Sequence, residues 1–201
     1  MKHCLHKLFV AAVGTTALLV AVASAGIPYP HNDGDLVPSA VAITGDRFVV
    51  LTSSPRGVRI YAVTPPSAAA MKAIDDGLAE LFLIAKRHGY QRCTSHADYT
   101  IFIARADRTR NADGQYSPDI AIGAAQYAGS IYDQGGFVYA AGMVLSMQPC
   151  AFIIAEHDHE WQRVINVARY EGEHLVLYHN DRPRFTATMD HSRGGSHPIL
   201  E

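Results

Sequence analysis

The sequence lacks the short motifs that mark several common classes of enzyme. It has no G-x-S-x-G, no Walker-type loop and no dinucleotide-binding glycine pattern, which argues against the serine hydrolases, nucleotide hydrolases and oxidoreductases that use them. It also has no block of basic residues, and its formal net charge is −2. The sequence therefore predicts no nucleic-acid partner and no attachment to anionic membrane surfaces.

Long apolar runs are absent except at the amino terminus. Two lysines accompany an apolar run from Leu8 to Val22, and the small residues Ala23-Ser24-Ala25 follow it. This order is typical of a secretory signal peptide, and the run is shorter than the about 20 residues that a membrane span needs. We therefore predict cleavage near Ala25 and Gly26, export to the periplasm or the medium, and no membrane contact afterwards. An uncleaved anchor is the alternative.

Cysteine is scarce as well. The chain has three, and Cys4 lies in the predicted signal peptide, so only Cys93 and Cys150 remain in the mature protein. They are too far apart for the redox chemistry of a C-x-x-C motif. In an oxidising compartment they have one intramolecular pairing, so we predict a Cys93–Cys150 disulfide. Two buried free thiols are the alternative.

The length of the mature chain fits one domain. Removing residues 1–25 from the 201 leaves 176, enough to bury a core. The signal takes away two lysines and no acids, so 15 Lys and Arg face 19 Asp and Glu and the charge becomes −4. Residues 26–45 begin with many turn-forming residues and are expected to form a loose leader. Residues 46–201 are expected to form a single domain.

Hydrophobic periodicity predicts a hairpin, a helix and further strands in the first part of this domain. Residues 47–51 and 58–63 are β-rich and flank a turn, as in a hairpin. Ser67 then precedes an amphipathic helix from Ala68 to His88, which Gly89 ends. The later strand candidates are Tyr99–Ala104, Ile120–Tyr127, Gly136–Met147 and Cys150–Ala155, with an exposed loop over 105–117.

A second helix is predicted from about His159 to His179, with Asp158 as its N-cap. Pro183 lies just beyond its end and cannot continue the helical hydrogen bonds. The tail from Arg184 onward is polar and is expected to be irregular. The order of hairpin, helix, strands, helix and tail predicts an α+β fold, a mixed sheet packed by both helices.

The second helix carries the most informative motif, Tyr170-Glu171-Gly172-Glu173-His174. It matches the zinc-hydrolase signature H-E-x-x-H at the glutamate and the second histidine, whereas Tyr170 occupies the first histidine position. His174 is therefore a candidate Zn²⁺ ligand, and Glu171 is the candidate general base for a metal-bound water. Tyr170 is an altered ligand position, because a neutral phenol with a pKa near 10 binds zinc poorly.

The missing ligands are expected from the carboxyl-terminal tail. Of the nine histidines of the mature chain, six lie in the last 45 residues, and catalytic zinc usually keeps three protein ligands and one open position. His191 and His197 are preferred, because a glycine-containing loop can fold both back onto the helix. Asp181 and His179 are weaker candidates. Glu173 faces about 100° away from the 170/174 side and is expected to orient a neighbouring group or to meet solvent.

A strand-rich region, a long motif-bearing helix and further candidate ligands after it resemble the zincin metallopeptidases. In that resemblance Tyr170 to His174 stands at the helix motif of the family, and the tail from Asn180 to Pro198 is similar to that of small exported metallopeptidases. The resemblance implies a zincin-like fold and a zinc-dependent peptidase that acts on a peptide or protein. Glu171 would be its base and His174 a zinc ligand. The alternative is a non-catalytic exported binding domain on the same scaffold, in which Tyr170 marks the loss of the metal.

Overall fold

The computed structural model describes residues 36–106, 120–123, 137–191 and 194–201. The predicted signal peptide, residues 26–35 and most of the predicted loop over 105–117 lie outside these ranges. Within them the fold is mixed α+β, with four α-helices and seven strands. The helices are α1 (Leu36–Thr44), α2 (Ala68–Arg87), α3 (Trp161–Asn180) and α4 (Arg182–Thr188), and the strands are β1 (Val50–Ser53), β2 (Arg59–Ala62), β3 (Tyr99–Ala104), β4 (Ile120–Gly123), β5 (Phe137–Ala140), β6 (Gly142–Ser146) and β7 (Cys150–Ala155).

Five strands form one mixed sheet in the order β1-β2-β3-β7-β6. The inner pairs β2–β3 and β3–β7 are parallel, whereas the outer pairs β1–β2 and β6–β7 are antiparallel. Strands β4 and β5 pair separately. The predicted hairpin, the strand at 99–104 and the strand at 150–155 are confirmed, and the candidate at 136–147 divides into β5 and β6.

The two faces of the sheet are covered by different helices. Successive side chains of a strand point to opposite faces. Ile101 and Ile103 of β3 therefore join the core formed with α2 and α3, whereas Phe102 joins a second cluster with Leu36 and Ala40 of α1. Strands β3 and β7 are buried along their whole length, as central parallel strands covered on both faces are.

Helix α1 occupies part of the segment that was expected to be a loose leader. Leu36 and Ala40 lie one turn apart on the same side of this helix, and both are buried. The turn-forming residues lie only at the start of the segment. The apolar residues from Leu36 onward pack on the second face of the sheet, and this packing stabilises the helix.

Helices α2 and α3 lie against the other face and approach each other closely. The start of α2 is confirmed, since Ser67 Oγ accepts a hydrogen bond from the N–H of Ala70 at 3.1 Å. Gly172, in the middle of the motif, packs on α2, and a Cβ there would lie 2.6 Å from Cδ2 of Leu81. Because Gly172 has no side chain, α3 can pack closely against Leu81 of α2 at this position.

The start of α3 differs from the prediction. The helix begins at Trp161, and its N-cap is Glu160, whose side chain makes no capping hydrogen bond. The prediction of Asp158 as the N-cap was therefore wrong. Asp158 lies two positions before the observed cap, so its side chain is too far along the chain to reach the free N–H groups of the first turn.

A second short helix, α4, follows α3 almost at once. Pro183 lies in its first turn, where the missing N–H of proline would have no partner in any case. The same proline thus ends α3 and begins α4, so the tail is helical to Thr188 rather than irregular. Asp181 caps α4: its side chain accepts hydrogen bonds from the N–H of Arg184 at 3.1 Å and from the hydroxyl of Tyr90 at 2.9 Å.

The predicted disulfide is present between Cys93, in the segment after α2, and Cys150, the first residue of β7. The alternative of two free thiols was therefore wrong. Among the helices of the described ranges, none has the length and apolar character that a membrane crossing requires.

The capping role of Asp181 can be tested by comparison with Asp158, the residue that was wrongly predicted to cap α3. We expect Asp181→Ala to lower the free energy of unfolding by about 1 kcal/mol, because α4 loses its cap. Asp158→Ala should change it by less than about 0.5 kcal/mol. Urea denaturation at pH 7 followed by circular dichroism measures both.

The effect of Asp181 should also depend on pH. Its hydrogen bonds from the backbone of Arg184 and from Tyr90 lower the pKa of Asp181 below the usual 3.8. A carboxyl group whose pKa is lower in the folded state stabilises the protein at pH values above its unfolded-state pKa. This stabilisation is lost as the pH falls through the folded-state pKa. The difference in the free energy of unfolding between wild type and Asp181→Ala should therefore become smaller below pH 3.8. A difference that becomes larger as the pH falls would contradict this role.

Candidate metal centre

Three histidines meet where the carboxyl-terminal tail crosses α3. His174 comes from the motif helix, and His191 and His197 come from the tail. One ligand atom of each lies within 4.8 Å of the others. The tail therefore folds back onto the helix as predicted and brings both preferred histidines to His174.

The tail is held there by Glu173, the residue before His174. Its side chain is completely buried. One carboxylate oxygen lies 2.7 Å from Nδ1 of His197, and the other accepts a hydrogen bond from the N–H of Ile199 at 2.8 Å. Because Nδ1 of His197 is occupied by the carboxylate, Nε2 is the nitrogen that remains for a metal. The expectation that Glu173 orients a neighbouring group is thus confirmed.

A tight turn between the two tail histidines brings them together. The N–H of Gly195 donates to the carbonyl of Asp190 at 2.9 Å, and the N–H of Ser196 donates to the carbonyl of Thr188 at 3.2 Å. A Cβ on Gly195 would lie 2.4 Å from the carbonyl oxygen of Thr188. This position therefore has no room for any side chain, and the turn depends on glycine.

The distance between the ring nitrogens of His174 and His191 is close to that between two ligands of a tetrahedral metal ion. Nε2 of His174 lies 3.2 Å from Nε2 of His191. Two nitrogens bound to one tetrahedral zinc at about 2.0–2.1 Å are separated by about 3.3–3.4 Å. His191 also makes a hydrogen bond to the backbone of Gly195, which fixes the orientation of its ring. Metal-binding histidines usually have such a hydrogen bond. The observed separation is thus close to the one that a bound ion requires.

Two of the three histidines, His174 and His191, have lowered pKa values, which favours the neutral form that binds metals. Burial, together with the neighbouring His197 and His191, lowers the pKa of His174 to about 3. Burial and His197 lower the pKa of His191 as well, against the opposing influence of Glu173 and Asp190. Because only a neutral imidazole can donate a lone pair to a cation, protons do not compete for His174 at neutral pH.

Glu171 lies on a different side of α3 and contacts the edge strand β6. Its Cγ would be 3.0 Å from a Cβ on Gly142, and its carboxylate accepts a hydrogen bond from the backbone of Val144. Burial raises the pKa of Glu171 to about 8, although the Val144 hydrogen bond opposes this. Glu171 does not belong to the three-histidine group, and the contacts of its side chain are with Gly142 and Val144 of β6.

Tyr170 packs over the centre rather than in the core. Its ring stacks on that of His197, with centroids 4.5 Å apart and an interplanar angle of 25°, and the residue is 40% exposed. At this position the phenol covers a ligand ring on its solvent side. The three imidazoles that converge are His174, His191 and His197, so the group that could hold a metal ion does not include residue 170.

The other candidate ligands have different partners. Asp181 caps α4 and binds Tyr90, as described above. His179 lies next to the disulfide, where its Nε2 is 2.6 Å from the carbonyl oxygen of Met147. Neither belongs to the three-histidine group.

Comparison with known proteins finds no match. No protein-family model fits the chain, and no curated protein or solved structure is significantly similar to it. The functional inference therefore rests on the geometry and chemistry of the centre itself.

The turn between the tail histidines gives a direct test of the centre. We expect Gly195→Ala to lower Zn²⁺ affinity by about tenfold or more, because the added methyl group meets the backbone and displaces His191 and His197. Competition with a chromophoric chelator measures the affinity.

Gly194→Asn is the matched control. A Cβ at Gly194 meets nothing within 4 Å, and asparagine tolerates the positive φ of 82° there. This variant should bind zinc as the wild type does. Equal affinities for Gly195→Ala and wild type would show that the turn does not position the ligands.

Proposed function

We propose that the protein is a zinc-dependent hydrolase of the peptidase type, whose metal is held by His174, His191 and His197. The observation that carries the proposal is the convergence of three imidazoles from two separate segments, within 4.8 Å, at the motif helix. His174 is buried and the other two histidines are partly buried, so bringing the three imidazoles together costs solvation that hydrogen bonds or a shared cation must offset. The centre therefore has the donor set of a catalytic metal site.

Zinc is the ion that this donor set fits best. Three neutral imidazoles with no thiolate suit Zn²⁺, Cu²⁺ or Ni²⁺ by ligand type, and the 3.2 Å separation of the nitrogens of His174 and His191 suits tetrahedral coordination. Three protein ligands leave one of four positions for water or substrate. When bound there, zinc would make a coordinated water acidic enough to act as a nucleophile near neutral pH.

The residues of the chain supply the remaining functions. Glu173 holds Nδ1 of His197 and would thereby leave Nε2 as the nitrogen for a bound ion. Glu171, one turn before His174 on α3, would have to leave its hydrogen bond with Val144 to take a proton from the attacking water and pass it to the leaving group. Tyr170, partly exposed beside His197, has a phenolic hydroxyl that can donate a hydrogen bond to a bound carbonyl group. The three residues thus contribute positioning, proton transfer and substrate contact.

A metal-binding protein without hydrolytic activity is the second candidate. The observation that favours it is the engagement of Glu171, whose carboxylate is hydrogen-bonded to the backbone of Val144 and whose pKa is raised to about 8 by burial. A carboxyl group with this pKa is largely protonated at pH 7 and is then no base. The three-histidine group argues against the simpler alternative, in which Tyr170 marks the loss of the metal altogether.

Metal analysis of the purified mature protein tests the first step. We expect about one zinc per chain, and His174→Ala should lose it, because two remaining imidazoles form a much weaker site. The control is His159→Ala, at an exposed histidine before α3, which should retain the ion. Zinc content that does not respond to His174→Ala would contradict the centre.

A second variant separates the hydrolase from the metal-binding protein. We expect Glu171→Gln to retain the ion and to lower kcat for peptide hydrolysis by about 10²- to 10⁴-fold, because an amide cannot accept the proton. Zinc content and turnover of a fluorogenic peptide library are the measurements. If the loaded wild-type protein hydrolyses none of these peptides, or if the variant is as active, the second candidate holds instead.

Glu173→Gln tests the positioning of His197. The amide has nearly the volume of the carboxylate, but when its NH₂ group faces Nδ1 of His197 it moves the imidazole proton to Nε2, the nitrogen that the ion needs. We expect zinc affinity to fall by about 10- to 100-fold, as measured by competition with a chelator. Unchanged affinity would mean that the carboxylate only anchors the tail.

A further inference from the structure

A second group of metal-ligating side chains lies beside the carboxyl end of α3. Cys93, Cys150 and His179 each offer a ligand atom within 4.8 Å of the other two. They come from three different elements: the segment after α2, the first position of β7 and the last turn of α3. The two sulfur atoms are joined as a disulfide, and in this form neither can act as a thiolate ligand.

We propose that reduction of the Cys93–Cys150 disulfide creates a Cys₂His site for a soft divalent cation of the zinc and cadmium class. A dithiol or phosphine reductant supplies two electrons, two protons are taken up, and the S–S bond becomes two thiols. Binding of the ion then displaces both thiol protons. Two thiolates and one imidazole hold it, and a fourth position remains for water. The disulfide and the metal are therefore mutually exclusive states of the same three residues.

The segment that carries Cys93 is held near His179 by bonds that do not involve sulfur. The side chain of Asn180 accepts hydrogen bonds from the N–H groups of Gln91 and Arg92, both at 3.0 Å, and donates one to the carbonyl of Arg92 at 2.8 Å. Because Asn180 follows His179 directly, these three bonds attach the residues before Cys93 to the helix end. Reduction of the disulfide leaves this attachment intact.

The positions of the two cysteines relative to each other are also fixed independently. The hydroxyl of Tyr99 donates to the carbonyl of Cys93 at 2.8 Å, and Tyr99 is the partner of Cys150 in the β3–β7 pairing. His179 is joined to the same region through the carbonyl of Met147, three residues before Cys150. The three ligand atoms are thus held together by the sheet, by α3 and by backbone hydrogen bonds, so the reduced site is organised in advance.

The donor types decide which ions would bind. Two thiolates favour soft or borderline cations such as Zn²⁺ and Cd²⁺ over Mg²⁺ and Ca²⁺, which prefer oxygen. The hydrogen bond between Nε2 of His179 and the carbonyl of Met147 uses the ring N–H and leaves Nδ1 with the lone pair. Such a carbonyl partner is typical of metal-binding histidines. The site differs in chemistry from the sulfur-free group at His174.

Cadmium titration of the full mature chain tests the proposal. A His174→Ala/His191→Ala background removes two of the three imidazoles of the other candidate centre and keeps His197 as the partner of Glu173, so the result does not depend on the proposed hydrolase function. The protein is reduced with a phosphine without oxygen, and Cd²⁺ is added while the ultraviolet thiolate-to-cadmium charge-transfer band is recorded. We expect one Cd²⁺ per reduced chain, and no such band for the oxidised chain, which has no thiolate.

Variants of the three residues test the composition of the site. In the same background Cys150→Ser should abolish the charge-transfer band or reduce it by half, and His179→Gln should lower Cd²⁺ affinity by about tenfold or more. His159→Gln, at an exposed histidine, is the matched control and should change nothing. Circular dichroism of every reduced variant reports whether the fold is retained.

Three results would overturn the proposal. The first is reduced protein that binds no Cd²⁺, and the second is binding that is indifferent to His179→Gln, since this would reduce the site to an ordinary dithiol. The third is a reduced chain that unfolds and does not refold when the ion is added, because the three residues would then not meet.

Discussion

The structure of the candidate centre depends on one buried carboxylate. Glu173 is completely buried within α3, and its two oxygens are taken up by Nδ1 of His197 and the N–H of Ile199. A buried carboxylate without partners is strongly destabilising, so these two contacts and the burial of Glu173 require each other. His197 and Ile199 are thereby held by hydrogen bonds to the middle of α3, and this places His197 next to His174.

Four consecutive residues of α3 have four different surroundings. Successive helical positions differ by about 100°, so Glu171 contacts β6, Gly172 packs on α2, Glu173 holds the tail and His174 faces the two tail histidines. The helix can make all of these contacts because the sheet, α2 and the tail surround it on different sides. The motif is therefore the point at which the core and the candidate centre are joined.

Features with a strong local signal were predictable from the sequence. The amphipathic period of α2, the β-rich run of β3 and the pairing of the only two cysteines outside the predicted signal each follow from nearby residues or simple counting. The convergence of His191 and His197 on His174 followed from the glycines between them, since a chain must turn sharply to present both rings to one helix face. For Glu173 the sequence predicts either orientation of a neighbouring group or contact with solvent, and the structure shows a buried side chain bonded to His197 and Ile199.

Features that depend on distant contacts were not predictable. Helix α1 forms because Leu36 and Ala40 find the second face of the sheet, which no local pattern reveals. Asp181 has the residue type of a ligand, but its neighbours Pro183 and Arg184 make it the cap of α4. Tyr170 stands at a ligand position of the motif, yet its ring stacks on His197, and the imidazoles that approach His174 come from the tail. In each case the outcome is set by where the tail and the sheet lie in space.

We propose that His174, His191 and His197 share one ion. X-ray absorption spectroscopy at the zinc edge, on protein loaded with one equivalent of Zn²⁺, measures the atoms bound to that ion. We expect three imidazole nitrogens at about 2.0–2.1 Å and one oxygen, with imidazole scattering reduced by one ring in His191→Ala. A first shell made mainly of oxygen, or one in which sulfur appears, would contradict the three-histidine centre.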